Sequence, residues 1–144
     1  MSDSVALIKE TLQTIGNCAD QRWRFIYAST EIARDDDSTK MLCEHVAFSL
    51  DKGLLGRVHT RDVDLDLRAF EKMEEVARDL LRKASEETIK VEWLIWRDKF
   101  EIHPSYDLPI WSVDMHDESA KSYLNFAHRE PMLRRVDFSS ASYE

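Results

Sequence analysis

Apolar side chains recur at steps of three and four residues over the first part of the chain. The series consists of Val5, Ile8, Leu12, Ile15, Ala19, Trp23 and Ile26. Because this spacing stacks side chains on one face of a helix, we predict a long first helix over residues 4–33. Gly16 is a weak point within it, since glycine in a helix interior costs about 1 kcal/mol relative to alanine.

The next apolar series follows a cluster of turn-forming acidic residues. Asp35, Asp36, Asp37 and Ser38 supply an N-cap and negative charge where the positive end of a helix dipole would lie. Leu42, Val46 and Leu50 then continue at helical spacing. We predict a second helix over about 38–51, which ends before the two nearby glycines of the sequence, Gly53 and Gly56.

Residues 64–84 carry the clearest helical pattern of the chain. One face bears Leu67, Phe70, Met73, Ala77, Leu80, Leu81 and Ala84. The preceding series Asp62, Asp64 and Asp66 resembles the start of a calcium loop, but Leu67 stands where such a loop needs glycine. We therefore interpret these acidic residues as caps of a third helix.

The segment that follows Ser85 fits two patterns. Ile89, Val91, Trp93 and Ile95 alternate as in a strand, whereas Ile89, Trp93, Trp96 and Phe100 have helical spacing. We favour a continued helix. The alternative is a short β-hairpin within 88–102, with its turn at 97–99 and its second arm at 100–102.

Two of the three prolines fall between His103 and Val113, so this stretch is predicted to be loop or extended chain. A last helix should begin near Asp114 and end at Pro131, and residues 137–144 should form a frayed tail. Together these elements predict an all-α fold, an irregular three- to four-helix bundle that forms a single domain over 1–136.

Composition limits the partners of this chain. Twenty Lys and Arg against 28 Asp and Glu give a net charge of −8, which disfavours direct contact with nucleic acid or an anionic membrane and suits a basic partner. Only three glycines are present, so no glycine-rich phosphate loop can be assembled. Arg22, Trp23, Arg24 and Phe25 mix cations with aromatics, but we interpret Trp23 as a core residue flanked by two arginines.

Cysteine usage and the N-terminal residues favour a cytoplasmic location. Cys18 and Cys43 are the two cysteines of the chain, and they are too few for a disulfide-stapled secreted scaffold. The first residues lack the basic and apolar stretches of a signal peptide, and no apolar run is long enough to cross a membrane. We expect both thiols to be reduced.

Familiar catalytic and metal-binding spacings are missing from the sequence. The five histidines are at least 12 residues apart, and no glutamate is followed by histidine three positions later. Cys43, Glu44 and His45 are adjacent, but neighbouring residues of the predicted helix diverge by about 100° and cannot all face one substrate. We predict no metal and no cofactor, and no motif carries a resemblance to a known family.

One segment has the composition of an interaction surface. Between residues 98 and 118 six acidic side chains accompany a single lysine, Lys99, and aromatic residues lie among them. The predicted partner-binding residues are Asp98, Glu101, Tyr106, Asp107, Trp111, Asp114, Asp117 and Glu118. The alternative is that this loop folds back to cover the end of the bundle, with its aromatic residues buried.

These observations lead to two hypotheses about function. The first is a non-enzymatic cytosolic interaction module, an acidic inhibitor, immunity-type or adaptor protein that docks on a basic protein. The second is a small helical enzyme or ligand-binding protein whose pocket lies between helices and is lined by Trp93, Trp96 and either His45 or His103. The sequence does not predict the oligomeric state.

Overall fold

The computed structural model of this chain describes residues 2–34, 41–53, 56–106 and 122–135. The helices are α1 (Ser2–Cys18) and α2 (Leu67–Ala84). The strands are β1 (Phe25–Arg34), β2 (Met41–Lys52), β3 (Val58–Asp62), β4 (Thr88–Trp96) and β5 (Phe100–Ser105). Two 3-10 helices follow, Ser122–Phe126 and Pro131–Arg135. Because five strands form one antiparallel sheet, the fold is α+β, and the predicted all-α bundle is wrong.

The sheet has β1 at its centre, in the order β3-β2-β1-β4-β5. β1 pairs with β2 on one side and with β4 on the other, so that Phe25 lies opposite both Leu50 and Trp96. β3 and β5 flank this central group. The α2 helix connects β3 to β4 and packs over β1 and β4.

The sheet is buried on both faces. On the helix face, the side that α1 and α2 cover, Ile26, Ala28 and Trp93 pack with Met73 and Leu81 of α2. On the opposite face the core consists of Phe25, Tyr27, Phe48, Leu50, Leu94, Tyr123, Ala127 and Leu133. The last three of these belong to the 3-10 helices and the turn between them, so the C-terminal part of the chain supplies the second layer.

The first predicted helix is correct only in its first half. α1 ends at Cys18, and residues 25–34 form the central strand. Every residue from 25 to 33 is buried, because one face of β1 meets the helices and the other meets the C-terminal layer. A strand buried on both sides loses the alternation of apolar and polar residues that identifies strands, and its apolar positions then fit helical spacing as well.

The second predicted helix, 38–51, is also wrong, since residues 41–52 form β2. Gly53 and Gly56 belong to the turn between β2 and β3, not to a helix C-terminus. The N–H of Gly53 donates to the carbonyl of Arg57 (2.8 Å), and the N–H of Gly56 donates to the carbonyl of Gly53 (3.1 Å). Gly56 has a φ of +75°, a conformation that glycine adopts without steric cost.

The segment after Ser85 forms a β-hairpin, which was the alternative to a continued helix. β4 and β5 pair antiparallel, and the N–H of Trp96 donates to the carbonyl of Lys99 (2.9 Å) across the turn 97–99. The favoured continuation of the helix is wrong because β4 is buried along almost its whole length. Its polar residues Thr88, Lys90 and Glu92 are buried as well, so β4 has no solvent-exposed face.

The third predicted helix is confirmed as α2. A carboxylate oxygen of Asp66 accepts from the N–H of Ala69 (2.8 Å), which makes Asp66 the N-cap, as the capping interpretation requires. Ser85 ends the helix in the left-handed conformation, with φ 57°. This helix is amphipathic, with one exposed face and one buried face, so the sequence pattern identifies it directly.

The predicted loop and last helix are only partly within the described residues. His103 and Pro104 lie in β5, which has no described strand on its outer side, and an edge position tolerates a proline without an N–H. Residues 107–121 and 136–144 lie outside the described residues. Within 122–135 the chain forms two short 3-10 helices, so the predicted continuous helix from Asp114 to Pro131 is wrong there.

Candidate anion-binding site

Three connecting segments of the chain meet at one end of the sheet. β1 and β5 begin at this end, and β2 and β4 finish there, as the pairing of Phe25 with Leu50 and Trp96 shows. The segment 19–24 therefore lies beside the β2–β3 hairpin, 49–61, and beside the β4–β5 turn, 97–99. We call these three segments together the basic end.

The basic end differs in charge from the rest of the chain. Its cationic side chains are Arg22, Arg24, Lys52, Arg57, Arg61, Arg97 and Lys99, and its acidic side chains are Asp20, Asp51 and Asp98. Seven positive and three negative charges give a local balance of +4. Since the whole chain carries −8, subtracting +4 leaves −12 for all other residues.

A cleft of about 780 Å³ opens between Arg22 and the β2–β3 hairpin. Its described lining contains the cations Arg22, Lys52, Arg57 and Arg61, together with His59, Gly53 and the carboxylate Asp51. The cleft is therefore predominantly positive. Such a concentration of cations attracts an anionic group and repels a cationic one.

Asp51 and Arg61 form the best shielded ion pair of the cleft. The carboxylate of Asp51 is buried, and Nε of Arg61 donates to its Oδ2 over 2.9 Å. Both residues project from the helix face, Asp51 near the end of β2 and Arg61 on β3. A buried carboxylate that lost this partner would be left without compensation, so Arg61 is committed to Asp51.

Arg22 is held in place by Asp20. Its Nε lies 3.1 Å from Oδ1 of Asp20, and its backbone N–H donates to the same oxygen over 2.9 Å. The side-chain hydrogen bond from Arg22 is the main reason why the pKa of Asp20 falls to about 2, and it also raises the pKa of Arg22. The pair is solvent-exposed, so it orients the guanidinium more than it stabilises the fold.

Lys52 and Arg57 are the uncompensated cations of the cleft. Lys52 is the last residue of β2 and pairs in register with Val58. Arg57 directly precedes Val58 and lies in the turn. Neither forms an ion pair within 4 Å with any residue that the structure describes. Two positive charges of this cleft therefore remain available to a ligand.

Gly53 leaves room for the imidazole of His59 in the hairpin. A Cβ added at position 53 would meet the imidazole ring of His59, with Cδ2 at 2.8 Å and Nε2 still closer. The ring of His59 therefore occupies the place that any larger residue at position 53 would need. The imidazole of His59 therefore lies next to Gly53, at the border of the cleft.

A second cleft, of about 430 Å³, lies on the other side of the segment 19–24, between α1 and the β4–β5 turn. Arg97 stacks over Trp23 at 3.9 Å and donates hydrogen bonds to the carbonyls of Trp23 and Gln21. Lys99 stacks over Trp96 at 4.7 Å. Each of these indole rings thus has a cation of the same chain on one face, and Arg97 ties the segment 19–24 to the turn.

The predicted partner-binding residues that the structure describes do not form one surface. Asp98 is exposed in the turn 97–99, and Tyr106 lies beyond the other end of β5, about 20 Å away at the usual rise of a strand. Tyr106 packs against the core of the helix face, whereas Glu101 lies on the opposite face. The remaining five, Asp107, Trp111, Asp114, Asp117 and Glu118, lie outside the described residues.

The two tryptophans of the second hypothesis lie on opposite faces of the sheet. Trp93 lies opposite Ala28 and is buried on the helix face, whereas Trp96 lies opposite Phe25 and packs on the other face. His103 stacks on Phe126 at 4.6 Å, and the side chain of His45 is outside the described residues. The two tryptophans therefore cannot line one pocket.

The basic residues of the cleft were missed because they are scattered along the sequence. Arg22, Lys52, Arg57 and Arg61 come together only when residues 25–34 and 41–52 are strands rather than helices. The local signal was the pair Gly53 and Gly56 between two apolar runs, which is typical of a hairpin turn. The predicted helix over 38–51 assigns these two glycines to a helix end instead.

Comparisons with protein-family models, with curated proteins and with solved structures return no match to this chain. Within the described ranges no three His, Cys, Asp or Glu side chains gather as metal ligands. In the same part of the chain neither α-helix is long and apolar enough to cross a membrane.

Proposed function

We propose that this chain is a non-enzymatic binding protein that docks an acidic segment of a partner protein at its basic end. The observation that carries this proposal is the local balance of +4 on a chain of −8. Charges are distributed evenly on a surface that serves solubility alone, whereas separation of this size directs an approaching ligand to one end. Electrostatic complementarity of this kind increases the rate of association and selects the partner.

A short acidic segment suits this surface better than nucleic acid does. The −12 on the remaining residues repels a long polyanion that extends past the basic end. Single-stranded nucleic acid also needs open aromatic faces for base stacking, and Arg97 and Lys99 already stack on Trp23 and Trp96. An extended acidic peptide needs neither a long basic track nor a stacking platform.

The proposal is tested with a short fluorescent peptide of alternating glutamate and serine, measured by fluorescence anisotropy. We expect binding that weakens as salt is added, since exposed charges are screened within about 10 Å at 0.1 M salt. Arg24→Glu combined with Lys99→Glu should weaken binding by about tenfold or more, because both side chains are exposed at the basic end.

The matched control is Arg82→Glu combined with Lys83→Glu. These exposed residues lie at the end of α2 that leads into Thr88, which pairs with Ala33 at the opposite end of the sheet. The control gives the same net charge as the first variant. If both double variants weaken peptide binding equally, the attraction depends on net charge alone and the basic end is not a docking surface.

The hypothesis of a basic protein partner stays a second candidate. The −12 on residues outside the basic end favours it. Trp111→Ala should then weaken binding of the basic partner by about 2 kcal/mol or more through faster dissociation. Neutralising Asp107 and Asp114 should instead slow association. A Trp111→Ala variant with unchanged affinity and several kcal/mol less stability would identify residues 98–118 as structural cover.

A cytoplasmic location is part of the proposal. Cys18 is a free thiol, and its Sγ donates to the carbonyl of Thr14 over 3.3 Å. Reduced thiols are typical of the cytosol. Thiol titration of freshly isolated, denatured protein without reductant should count two free groups, one for each cysteine of the sequence. A count of zero would contradict the location.

A further inference from the structure

Two of the four cations in the cleft form ion pairs with carboxylates, and the other two do not. Arg61 is committed to the buried carboxylate of Asp51, and Arg22 is held by Asp20. Lys52 and Arg57 have no carboxylate partner within 4 Å among the described residues. The cleft therefore has an uncompensated charge of +2. A phosphate monoester carries about −1.5 to −2 near pH 7, whereas a carboxylate carries only −1.

The cations that line the cleft come from three separate segments of the chain. Arg22 comes from the segment before β1, Lys52 from the end of β2, and Arg57 from the turn before β3. A phosphoryl group has three terminal oxygens arranged around phosphorus and accepts from several directions at once. A carboxylate has two oxygens in one plane, and a single guanidinium is enough to satisfy it.

The imidazole of His59 also borders the cleft, next to Gly53. The imidazole lies against Gly53, where a Cβ would displace it, and it borders the same cleft as Lys52 and Arg57. His59 lies directly opposite Asp51 in the strand pairing, so it is placed by both the hairpin register and the glycine contact. An imidazole N–H is a further donor to a phosphate oxygen.

We propose that this cleft binds a phosphate monoester, carried on a phosphorylated serine or threonine of the acidic segment that docks at the basic end. The inference rests on the proposed function and specifies its ligand. Lys52 and Arg57 supply the neutralising charge, and Arg22, which Asp20 orients, and His59 border the same cleft. Binding is non-covalent, so no bond of the phosphate forms or breaks.

The test compares three peptides of one acidic sequence whose central residue is phosphoserine, glutamate or serine. We expect the phosphoserine peptide to bind at least about tenfold more tightly than the glutamate peptide, because it makes additional charge-assisted hydrogen bonds. Free O-phosphoserine and inorganic phosphate form the other arm of the test. They should bind far more weakly than the phosphopeptide, since they make no contact with the rest of the basic end.

Lys52→Gln combined with Arg57→Gln should bring the affinity for the phosphoserine peptide down to that for the glutamate peptide. Arg82→Gln combined with Lys83→Gln removes the same charge at the far end of α2 and should preserve the preference. Amide NMR shifts on titration with the phosphopeptide should be largest at Gly53, Gly56 and Arg57. The same spectra report whether each variant is folded.

The outcomes separate this inference from the proposed function. Equal affinity for the phosphoserine and glutamate peptides would overturn the phosphate site and leave the docking of acidic segments intact. Absence of binding by all three peptides would overturn both. If O-phosphoserine alone binds as tightly as the phosphopeptide, the ligand is a free phosphorylated molecule, and the assignment to a protein segment is overturned.

Discussion

The guanidinium of Arg129 binds the carboxylate of Glu101 and thereby ties the C-terminal part of the chain to the edge strand β5. Nε of Arg129 lies 3.0 Å from Oε2 of Glu101, and a terminal nitrogen of Arg129 donates to the same oxygen. Nε2 of His103 lies 2.9 Å from Oε1. Because Tyr123 and Leu133 of the C-terminal layer cover the opposite face of the sheet, this contact helps to hold that layer in place.

The first prediction concerns the pH dependence of this contact. The hydrogen bond from Arg129 is the main reason why the pKa of Glu101 lies below its ordinary value of 4.5. A carboxylate whose pKa is lowered by folding stabilises the protein above its unfolded-state pKa, and this stabilisation disappears as the pH falls through the folded-state pKa. Glu101→Gln should therefore lower the thermal midpoint at pH 7, and this deficit should disappear as the pH falls through the folded-state pKa of Glu101.

Thermal unfolding of the wild type and of the Glu101→Gln variant, followed from pH 7 to acid pH, measures this loss of stabilisation directly. A deficit of the Glu101→Gln variant that stayed constant down to acid pH would show that the carboxylate charge is not what stabilises this contact. Arg78→Gln is a suitable control, since Arg78 lies on α2 and forms an exposed ion pair with Glu74 within that helix.

How far the fold follows from the sequence depends on whether an element has a solvent-exposed face. α2 has one, so its apolar stripe and the N-cap Asp66 are both evident in the sequence. β1 and β4 are covered on both sides, and their apolar residues satisfy the helical and the strand pattern alike. Single-sequence patterns cannot decide such cases, because tertiary burial decides them.

The predicted interaction segment lies only partly within the described residues. Asp98, Glu101 and Tyr106 are close in sequence, but β5 places Glu101 and Tyr106 on opposite faces and separates Tyr106 from the turn. Lys52 and Arg57 belong to no charge cluster in the sequence. They border the same cleft as Arg22 only because the strands pair as they do. Residues that are close in sequence form one surface only where their side chains project from the same face.

The second prediction tests a buried hydrogen bond of the opposite face. The hydroxyl of Tyr27 donates to Oε2 of Glu92 over 2.5 Å, and both side chains are buried. Tyr27→Phe removes the donor and leaves a buried carboxylate with one partner fewer, so the free energy of unfolding should fall by about 1–3 kcal/mol.

Urea unfolding checks this value, with Tyr106→Phe as the control. The hydroxyl of Tyr106 makes no hydrogen bond with a described residue, and the side chain is only half-buried. The control should change the free energy of unfolding by less than about 0.5 kcal/mol. Equal effects of the two substitutions would mean that the bond to Glu92 makes no net contribution to stability.

The third prediction concerns the N-cap of α2. Asp66→Ala removes the acceptor of the Ala69 N–H and should destabilise the protein by about 1 kcal/mol. Asp64→Ala removes an equal charge two residues earlier, at an exposed position outside the helix, and should stay within about 0.5 kcal/mol of the wild type. A similar loss for both variants in urea unfolding would assign the effect to general charge at the helix terminus rather than to capping.

The last prediction separates binding from folding within one hairpin. Gly53→Ala places a Cβ where the ring of His59 lies, with Cδ2 at 2.8 Å in the present arrangement. The side chain of His59 can rotate away, because it has two rotatable bonds and lies at the cleft, whereas the backbone pairs of the hairpin need not move. We therefore expect near wild-type stability and several-fold weaker binding of the phosphoserine peptide.

Gly56→Ala should instead lower stability and leave the affinity for the phosphoserine peptide unchanged. Its Cβ would meet no atom within 4 Å, but φ at this position is +75°, where a side chain costs about 1–2 kcal/mol. The variant should unfold at lower urea concentration and still bind the phosphopeptide like the wild type when folded. Anisotropy titration and urea unfolding of both variants give four measurements. If Gly53→Ala binds the phosphopeptide as the wild type does, His59 is not part of the phosphate site.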